Sequence, residues 1–572
     1  QGAIPNLNIS FGSGKPGEKT RMNVRGFASI NQESKPLILI DGMEGNIDKI
    51  NPRDVESISV LKDASSAAIY GARDPFGVVL ITTKKGESGK TQVNYNGRFS
   101  FSKPTTRTDF LTTGYDAAML VDEFMRSYNG VTYTRFTSDD YKELEARRFD
   151  KTENPERPWT VVQNRGGVES YMYYANFDWY NYLFDQSRPT WDHNLSISGG
   201  NQKINYLLSG NYGTQDGIYR QNTDKLRTAN LMAKVSADAY KWLTVKFMAP
   251  RVGHGYNIPS LTFHAMPYLM PYNPDGTWVY QNPIQASGPS DGIHILIGDG
   301  TTKSIEENRY MTYSWSTIFK IMKGLTFTAN YNFKHSTTDY MERSTQAKYS
   351  QYPGVEEVAQ ASWFSNKLIQ EYEKSFYHSD DAYLNYDNTF NSHHVYAVAG
   401  FNYEQNHYKH HYATKLNIQS DELNDFNLGE KGKDVTVQGG QSKWALLGYF
   451  GRIGYDYAGK YLAEFNIRWD ASSRFPKDHR AGLFPSFAVG YRGFFDNRLN
   501  LSADLFIRDT KDMLVPGKML PGVYGATPPK ENAANLRTKG FELAVSWYDQ
   551  FNLGNKPFSY NLSFGLSDSK SV

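Results

Sequence analysis

Cysteine is absent from the 572 residues, which removes disulfide frameworks, thiolate metal sites, iron–sulfur centres and thiol nucleophiles. An excess of charge of one sign is lacking too. The 62 Lys and Arg stand against 60 Asp and Glu, a formal +2, too little for the basic field that phosphate neutralisation needs, so nucleic acid is not an expected partner. Long apolar runs are also missing. Residues 36–40 (PLILI) and 78–81 (VVLI) fall far short of the ~18 residues of a membrane-spanning helix, and the mean hydropathy is −0.60. A transmembrane β-barrel is not excluded, because its alternating strands average to a hydrophilic score. No apolar leader follows Gln1, which reads as a processed chain. The signatures G-x-S-x-G, H-E-x-x-H and the phosphate loop do not occur, and scattered carboxylates without a pocket make no glycosidase. Neither an enzymatic activity nor a cofactor is expected.

Aromatic residues are plentiful: 41 Tyr, 33 Phe and 10 Trp. Their placement divides the chain in two. Residues 1–90 read as a small α+β module, with β-runs at 37–40, 57–61 and 77–82, and a short helix over 64–70 between Asp63 as N-cap and Gly71 as stop. Residues 91–572 alternate with period two, which puts one residue class on each face of a sheet. Val93, Tyr95, Gly97, Phe99 and Phe101 alternate with Asn94, Asn96, Arg98 and Ser100. Leu325, Phe327, Ala329, Tyr331 and Phe333 alternate with Thr326, Thr328, Asn330, Asn332 and Lys334, and Tyr461, Ala463, Phe465, Ile467 and Trp469 with Leu462, Glu464, Asn466, Arg468 and Asp470. Each run is about nine or ten residues, the length of a tilted strand across a bilayer. A soluble sandwich alternates in the same way. Tyr95, Tyr331, Tyr461 and Trp469 at the strand ends, facing away from a charged or amidic side, favour a barrel with aromatic girdles and a wet lumen. Residues 110–128 and 139–148 read as helices within an external loop.

The first module carries NVRG at 23–26, PLILIDG at 36–42, INPRDVESI at 50–58, VLKDA at 60–64, AIYG at 68–71 and GVVLITTKKG at 77–86. In this order and spacing the six motifs closely resemble the plug domain of SusC/RagA-type TonB-dependent outer-membrane transporters. WDHNLSISGG at 191–200, RWDASSRFP at 468–476 and GLFPSF at 482–487 extend the resemblance into the barrel.

The resemblance implies a transmembrane antiparallel β-barrel of twenty-two strands with the plug inside its lumen, in the Gram-negative outer membrane. It implies import of oligomeric nutrients, chiefly glycan oligosaccharides. The implied partners are a SusD-like surface lipoprotein, TonB acting through an N-terminal segment upstream of Gln1, and outer-membrane lipid. A peptide importer of the same family and a non-transporting saccharide receptor are the alternatives. Three departures point to an incomplete chain: its shortness, the direct step from Tyr491–Arg492 to Gly493–Phe494, and an end at Val572 without a terminal aromatic strand.

Sugar rings stack their C–H faces on aromatic side chains and pair their hydroxyls with amides and carboxylates. The proline-broken excursion at 261–283 therefore supplies the candidate solute contacts: Phe263, Tyr272, Trp278 and Tyr280, with Asn273, Asp275 and Gln281 as polar partners. Packing of the loop upon itself is the plainer reading of the same rings. Arg25 is expected to anchor the plug to wall carboxylates such as Glu464 or Asp470. The histidines at 393, 394, 407, 410 and 411 point alternately to opposite faces of a strand, so no metal site is expected.

Overall fold

The computed structural model describes residues 7–11, 15–24, 35–61, 77–105, 107–222, 224–249, 255–257, 264–280, 290–298, 302–359, 366–432, 435–491, 498–516, 530–554 and 556–571. The first elements are short strands: β1 (Leu7–Phe11), β2 (Thr20–Val24), β3 (Leu37–Ile40), β4 (Met43–Glu44), β5 (Val55–Leu61) and β6 (Val78–Thr83). Asp41 (φ 50°) and Gly42 (φ 87°) turn β3 into β4, as an Asp-Gly pair does where both central residues need positive φ. β3 and β6 run parallel, and the sheet order is β4-β3-β6-β5. Ile40, Ile50, Val79 and Ile81 pack its small core. The expected helix at 64–70 and Arg25 lie outside the described residues. The two carboxylates expected to meet Arg25 have other partners, Glu464 bonding Arg452 and Tyr396, and Asp470 bonding Arg468.

The barrel wall and its excursions follow in chain order: β7 (Gly89–Ser102), α1 (Gly114–Asn129), α2 (Ser138–Arg147), β8 (Thr160–Arg165), β9 (Val168–Tyr173), α3 (Trp179–Leu183), β10 (Arg188–Gly200), β11 (Ile204–Asp216), β12 (Lys225–Tyr240), β13 (Leu243–Ala249) and β14 (Gly255–Asn257). Next come α4 (Ile293–Gly298), β15 (Lys303–Met322), β16 (Leu325–Ser344), β17 (Lys348–Tyr352), β18 (Val355–Val358), β19 (Lys367–Phe390), β20 (His393–Leu416), β21 (Val435–Tyr457), β22 (Tyr461–Ser472) and β23 (Ala481–Tyr491). The last three strands are β24 (Leu499–Pro516), β25 (Lys530–Leu553) and β26 (Lys556–Ser571). Among the described residues, one 13-stranded antiparallel sheet runs from β7 to β23 and a second sheet joins β24, β25 and β26.

The sheet is inside out relative to a soluble protein. On β22, Tyr461, Phe465, Ile467 and Trp469 are exposed while Asn466 and Arg468 between them are buried. On β16, Tyr331 is 44% exposed and Asn332 beside it 6%. The buried side faces the first module. Lys334 Nζ donates to the Glu44 carbonyl at 3.1 Å, the Tyr310 hydroxyl donates to the Lys49 carbonyl, and the Ser209 hydroxyl donates to Asp54 at 2.6 Å. The leading sheet is a plug within the polar side of the wall.

Strand length departs from expectation. β15 and β16 have 20 residues, β19 and β20 have 24, about twice the runs visible as alternation. The apolar outward positions occupy only the half of each strand near a tight turn. Beyond it both faces meet water, polar residues suffice on either side, and the alternation fades while backbone pairing continues. Tyr331 and Trp469 consequently lie within their strands and mark a membrane interface. On β21, Tyr457 and Tyr449 are eight residues apart, roughly 26 Å along the strand at 3.3 Å per residue, or about 20 Å of height at the tilt of such strands, most of the ~25 Å apolar band of such a barrel. The tight turns at 241–242, 323–324 and 391–392 stand on one side and the long excursions on the other, which assigns the former to the periplasm and the latter to the exterior.

The excursions at 103–187, 264–298 and 345–359 fold together. Their shared core includes Ala118, Leu144, Met172, Tyr173, Trp179, Tyr268, Leu269, Ile295 and Leu296. The two expected helices are present as α1 and α2. Thr137 caps α2 in a reciprocal capping box with Asp140, which satisfies two first-turn donors.

Candidate functional site

Two places carry functional chemistry. The first is the excursion that holds the candidate solute residues. Tyr272 and Trp278 pair across a turn over residues 273–276. The Asn273 amide donates to the Thr277 carbonyl at 2.8 Å, the Gly276 amide donates to the Asn273 carbonyl at 2.9 Å, and Gly276 takes φ 84°. The pairing brings the Tyr272 and Trp278 ring centroids to 4.2 Å with 32° between planes. His294 stands 5.9 Å behind Trp278, and burial pushes its imidazole down to about 3, so it stays neutral. A Cβ on Gly298 would collide with the Trp278 ring. The indole is thus held from behind.

The other candidates divide. Asn273 is 4% exposed, and its side chain is used up: Nδ2 donates to Thr277 Oγ1 and to the Ser350 carbonyl, both at 2.9 Å, and Oδ1 accepts from Tyr173 at 2.8 Å. Tyr280 is 4% exposed and meets Tyr349 edge to face. These two hold the loop together. Asp275 is exposed at the tip; the Thr277 hydroxyl, ahead of Tyr171, holds its carboxyl below the usual range. Tyr171 is pushed up to about 12 by burial and then by Asp275, so it remains a donor. Tyr272, at 37% exposure, Trp278 and Asp275 are the members that reach the surface. Phe263 and Gln281 lie outside the described residues.

The second place is the seam between plug and wall. Asp41 accepts from the Thr83 amide at 2.9 Å and from the Thr83 hydroxyl at 2.6 Å, and pairs with Lys234 of the wall at 3.0 Å. Beside this pair lies a cavity of about 420 Å³, lined in part by Lys85, Ser236, Lys246, Ser314 and Asn332. Gly86 leaves the plug so close to the Tyr206 backbone that a Cβ would not fit. These seam contacts are chiefly polar and partly hollow, so they can be exchanged for water at modest cost. Sequence reading missed Lys234, Ser209 and Tyr310, because polar lumen positions look alike until register assigns them a neighbour. Asp41→Asn keeps the left-handed turn, which Asn tolerates, but removes the ion pair. We expect it to loosen the plug by roughly 1.5–3 kcal/mol, the worth of a hydrogen bond to a charged group, seen as faster hydrogen exchange at the Thr83 amide.

The description TonB-dependent Receptor Plug Domain matches residues 1–78, and TonB dependent receptor-like, beta-barrel matches residues 486–571. TonB-dependent receptor SusC of Bacteroides thetaiotaomicron is 28% identical over 560 residues, covering 89% of this chain and 49% of SusC. The structure of the RagAB peptide transporter aligns with a TM-score of 0.75 at 19% identity, over 100% of this chain and 72% of that one. Together these matches support a TonB-dependent receptor of the SusC/RagA type. TonB-dependent receptor P3 of Formosa agariphila is 25% identical over 669 residues, covering 100% of this chain and 60% of P3. The chain thus spans about half to three fifths of the length of these curated relatives. As a receptor of this type it is an outer-membrane β-barrel protein, in keeping with the apolar belt on its outer face.

Proposed function

We propose that this receptor imports oligomeric nutrients, chiefly glycan oligosaccharides, across the outer membrane. TonB drives the cycle through a segment upstream of Gln1, and a SusD-like lipoprotein closes the barrel from outside. Residues 1–90 act as the movable plug and 91–572 as barrel with external loops. The observation that carries the reading is the seam: a small sheet seated on a polar wall by contacts such as Asp41–Lys234 and Ser209–Asp54, displaceable under an external pull. Plugs of this size have ~5–15 kcal/mol of stability, within reach of such a force.

The glycan preference rests on Tyr272 and Trp278, a tilted ring pair joined by a turn that carries the exposed Asp275, since a pyranose face can stack on such rings while its hydroxyls find an acceptor. Trp278→Ala in the full-length protein should weaken oligosaccharide binding about tenfold while leaving the fold intact. Calorimetry with a defined oligosaccharide panel reads this; unaltered affinity would retire the loop as the site. Peptide import is the second reading, favoured by likeness to the RagAB peptide transporter. A peptide panel in the same calorimeter, together with uptake of labelled members of both panels, separates the two.

A further inference from the structure

The two neighbours of β21 pair with it unequally. β20 accompanies it from Val435 to Tyr457, whereas β22 reaches only Leu446 and turns back through residues 473–480 into β23. Ser473 closes that join: its amide donates to the Ala445 carbonyl at 3.0 Å, and its hydroxyl accepts from the Ala445 amide at 2.8 Å. Backbone groups alternate sides along an antiparallel strand. No register shift interrupts the β20–β21 ladder, so the amides and carbonyls of Val437, Gly439, Gln441 and Lys443 point the same way as those of Ala445. Among the described residues no strand meets them. Residues 435–443 are all exposed and lie beyond Tyr449, on the exterior side of the membrane interface, in water.

Such an edge has a defined complement. Only an extended polypeptide presents backbone donors and acceptors in the matching alternation, which sets it apart from a lipid, a sugar or a simple anion. The side chains narrow the complement further. On the outer face, this stretch of β20 and β21 carries Lys409, Lys443, His407 and His411 and no acid. Lys409 also opposes Lys374 on β19, and like charges so placed destabilise a sheet. Among the described residues none of the three lysines forms an ion pair. Toward the exterior end the face turns apolar, Val435 being 52% and Val437 74% exposed. The complement is therefore an acidic extended segment with apolar residues at its outer end. A strand added here lies in the plane of the wall, above β22, and not across the lumen. That position suits a resident partner at the rim and not a solute in transit.

We propose, on the reading that a SusD-like lipoprotein closes the barrel from outside, that β21 receives an acidic extended segment of that lipoprotein along residues 437–443. Main-chain hydrogen bonds to the open edge hold the segment. An acid placed beside Gln441 meets Lys443 along the strand and Lys409 across it, which relieves the repulsion between Lys409 and Lys374. The segment's apolar side chains cover Val435 and Val437.

The test is hydrogen exchange across residues 435–443 in the full-length receptor, alone and in complex with its SusD-like lipoprotein. The stretch should exchange fast in the free receptor and roughly tenfold more slowly in the complex. Gln441→Pro removes one N–H from the open edge and leaves the β20 pairing intact, a change that edge strands tolerate. It should weaken the lipoprotein roughly tenfold, as should Lys409→Gln/Lys443→Gln, while Gln441→Ala should not. Heat-modifiable gel migration reports that the variants are folded. Equal binding by the folded Pro variant and wild type would overturn the strand addition. A lipoprotein that binds without protecting 435–443 would do the same and leave the lid standing, whereas one that does not bind at all would overturn both. Protection already present in the free receptor would mean that its own chain fills the edge, and protection by an oligopeptide panel in place of the lipoprotein would make the edge a solute site; either result rejects the proposal.

Discussion

Deleting the plug through Gly86 from the full-length protein should convert a closed barrel into a continuously open one, the largest single change expected of this molecule. The described wall already comprises twelve strands side by side and three more in a second sheet, close to the 16–18 strands whose barrels enclose an aqueous channel when nothing fills them. The positions that face inward on β15 and β16 are polar throughout their middle: Asn308, Tyr310, Thr312, Ser314 and Ser316 on one, Thr328, Asn330, Asn332, Lys334 and Ser336 on the other. Such a surface gains little by collapsing on itself, so the emptied lumen stays wet. The plug's own core of Ile40, Ile50, Val79 and Ile81 is separate from the wall, whose strands are held to one another by continuous backbone pairing. Planar-bilayer conductance checks the outcome. A deletion variant that migrates as a folded barrel yet conducts no ions would refute the plug assignment.

Leu384→Arg should cost about 2–4 kcal/mol in a bilayer, the range for a cation near the midplane of a barrel's lipid face. Leu384 is 45% exposed, between Phe327 and Ala399 on the neighbouring strands, and its exposure is to hydrocarbon. Val437→Arg is the informative control. Val437 is also apolar and is 74% exposed, with the same outward parity on β21, but it lies near the exterior end of that strand, far beyond Tyr449, where the sheet stands in water. Its replacement should change stability by no more than about 0.5 kcal/mol. Denaturant titration in lipid vesicles separates the two. Equal costs would mean that the belt is not where the girdles of Tyr449 and Tyr457 put it.

The contrast between Leu384 and Val437 also shows how far the chain could be read without coordinates. Alternation was legible wherever one face of a strand touches lipid, as at 325–333 and 461–469. It was illegible in the exterior halves of β19 to β21, where polar side chains satisfy both faces and no periodic signal survives. The candidate loop behaved likewise. Tyr272, Asn273, Asp275, Trp278 and Tyr280 were found as a group by composition. That Asn273 and Tyr280 face inward while Tyr272 and Trp278 face out depends on Ser350, Tyr173 and Tyr349, which belong to other segments of the chain. The β8–β9 hairpin and α4 were not foreseen, because their apolar residues are buried against distant excursions and follow no local rule.

Sequence alone determined the class of this protein: a strand-crossing wall with greasy and polar sides, and a leading module whose six motifs mark a plug. Local chemistry suffices there, since a solvent boundary imprints a period on every strand it touches. Only the tertiary structure decided which lysine meets which aspartate, how far the strands rise above the bilayer, and that Lys374 faces Lys409. Those facts depend on register between strands, and register is set by the whole sheet rather than by any one of its segments.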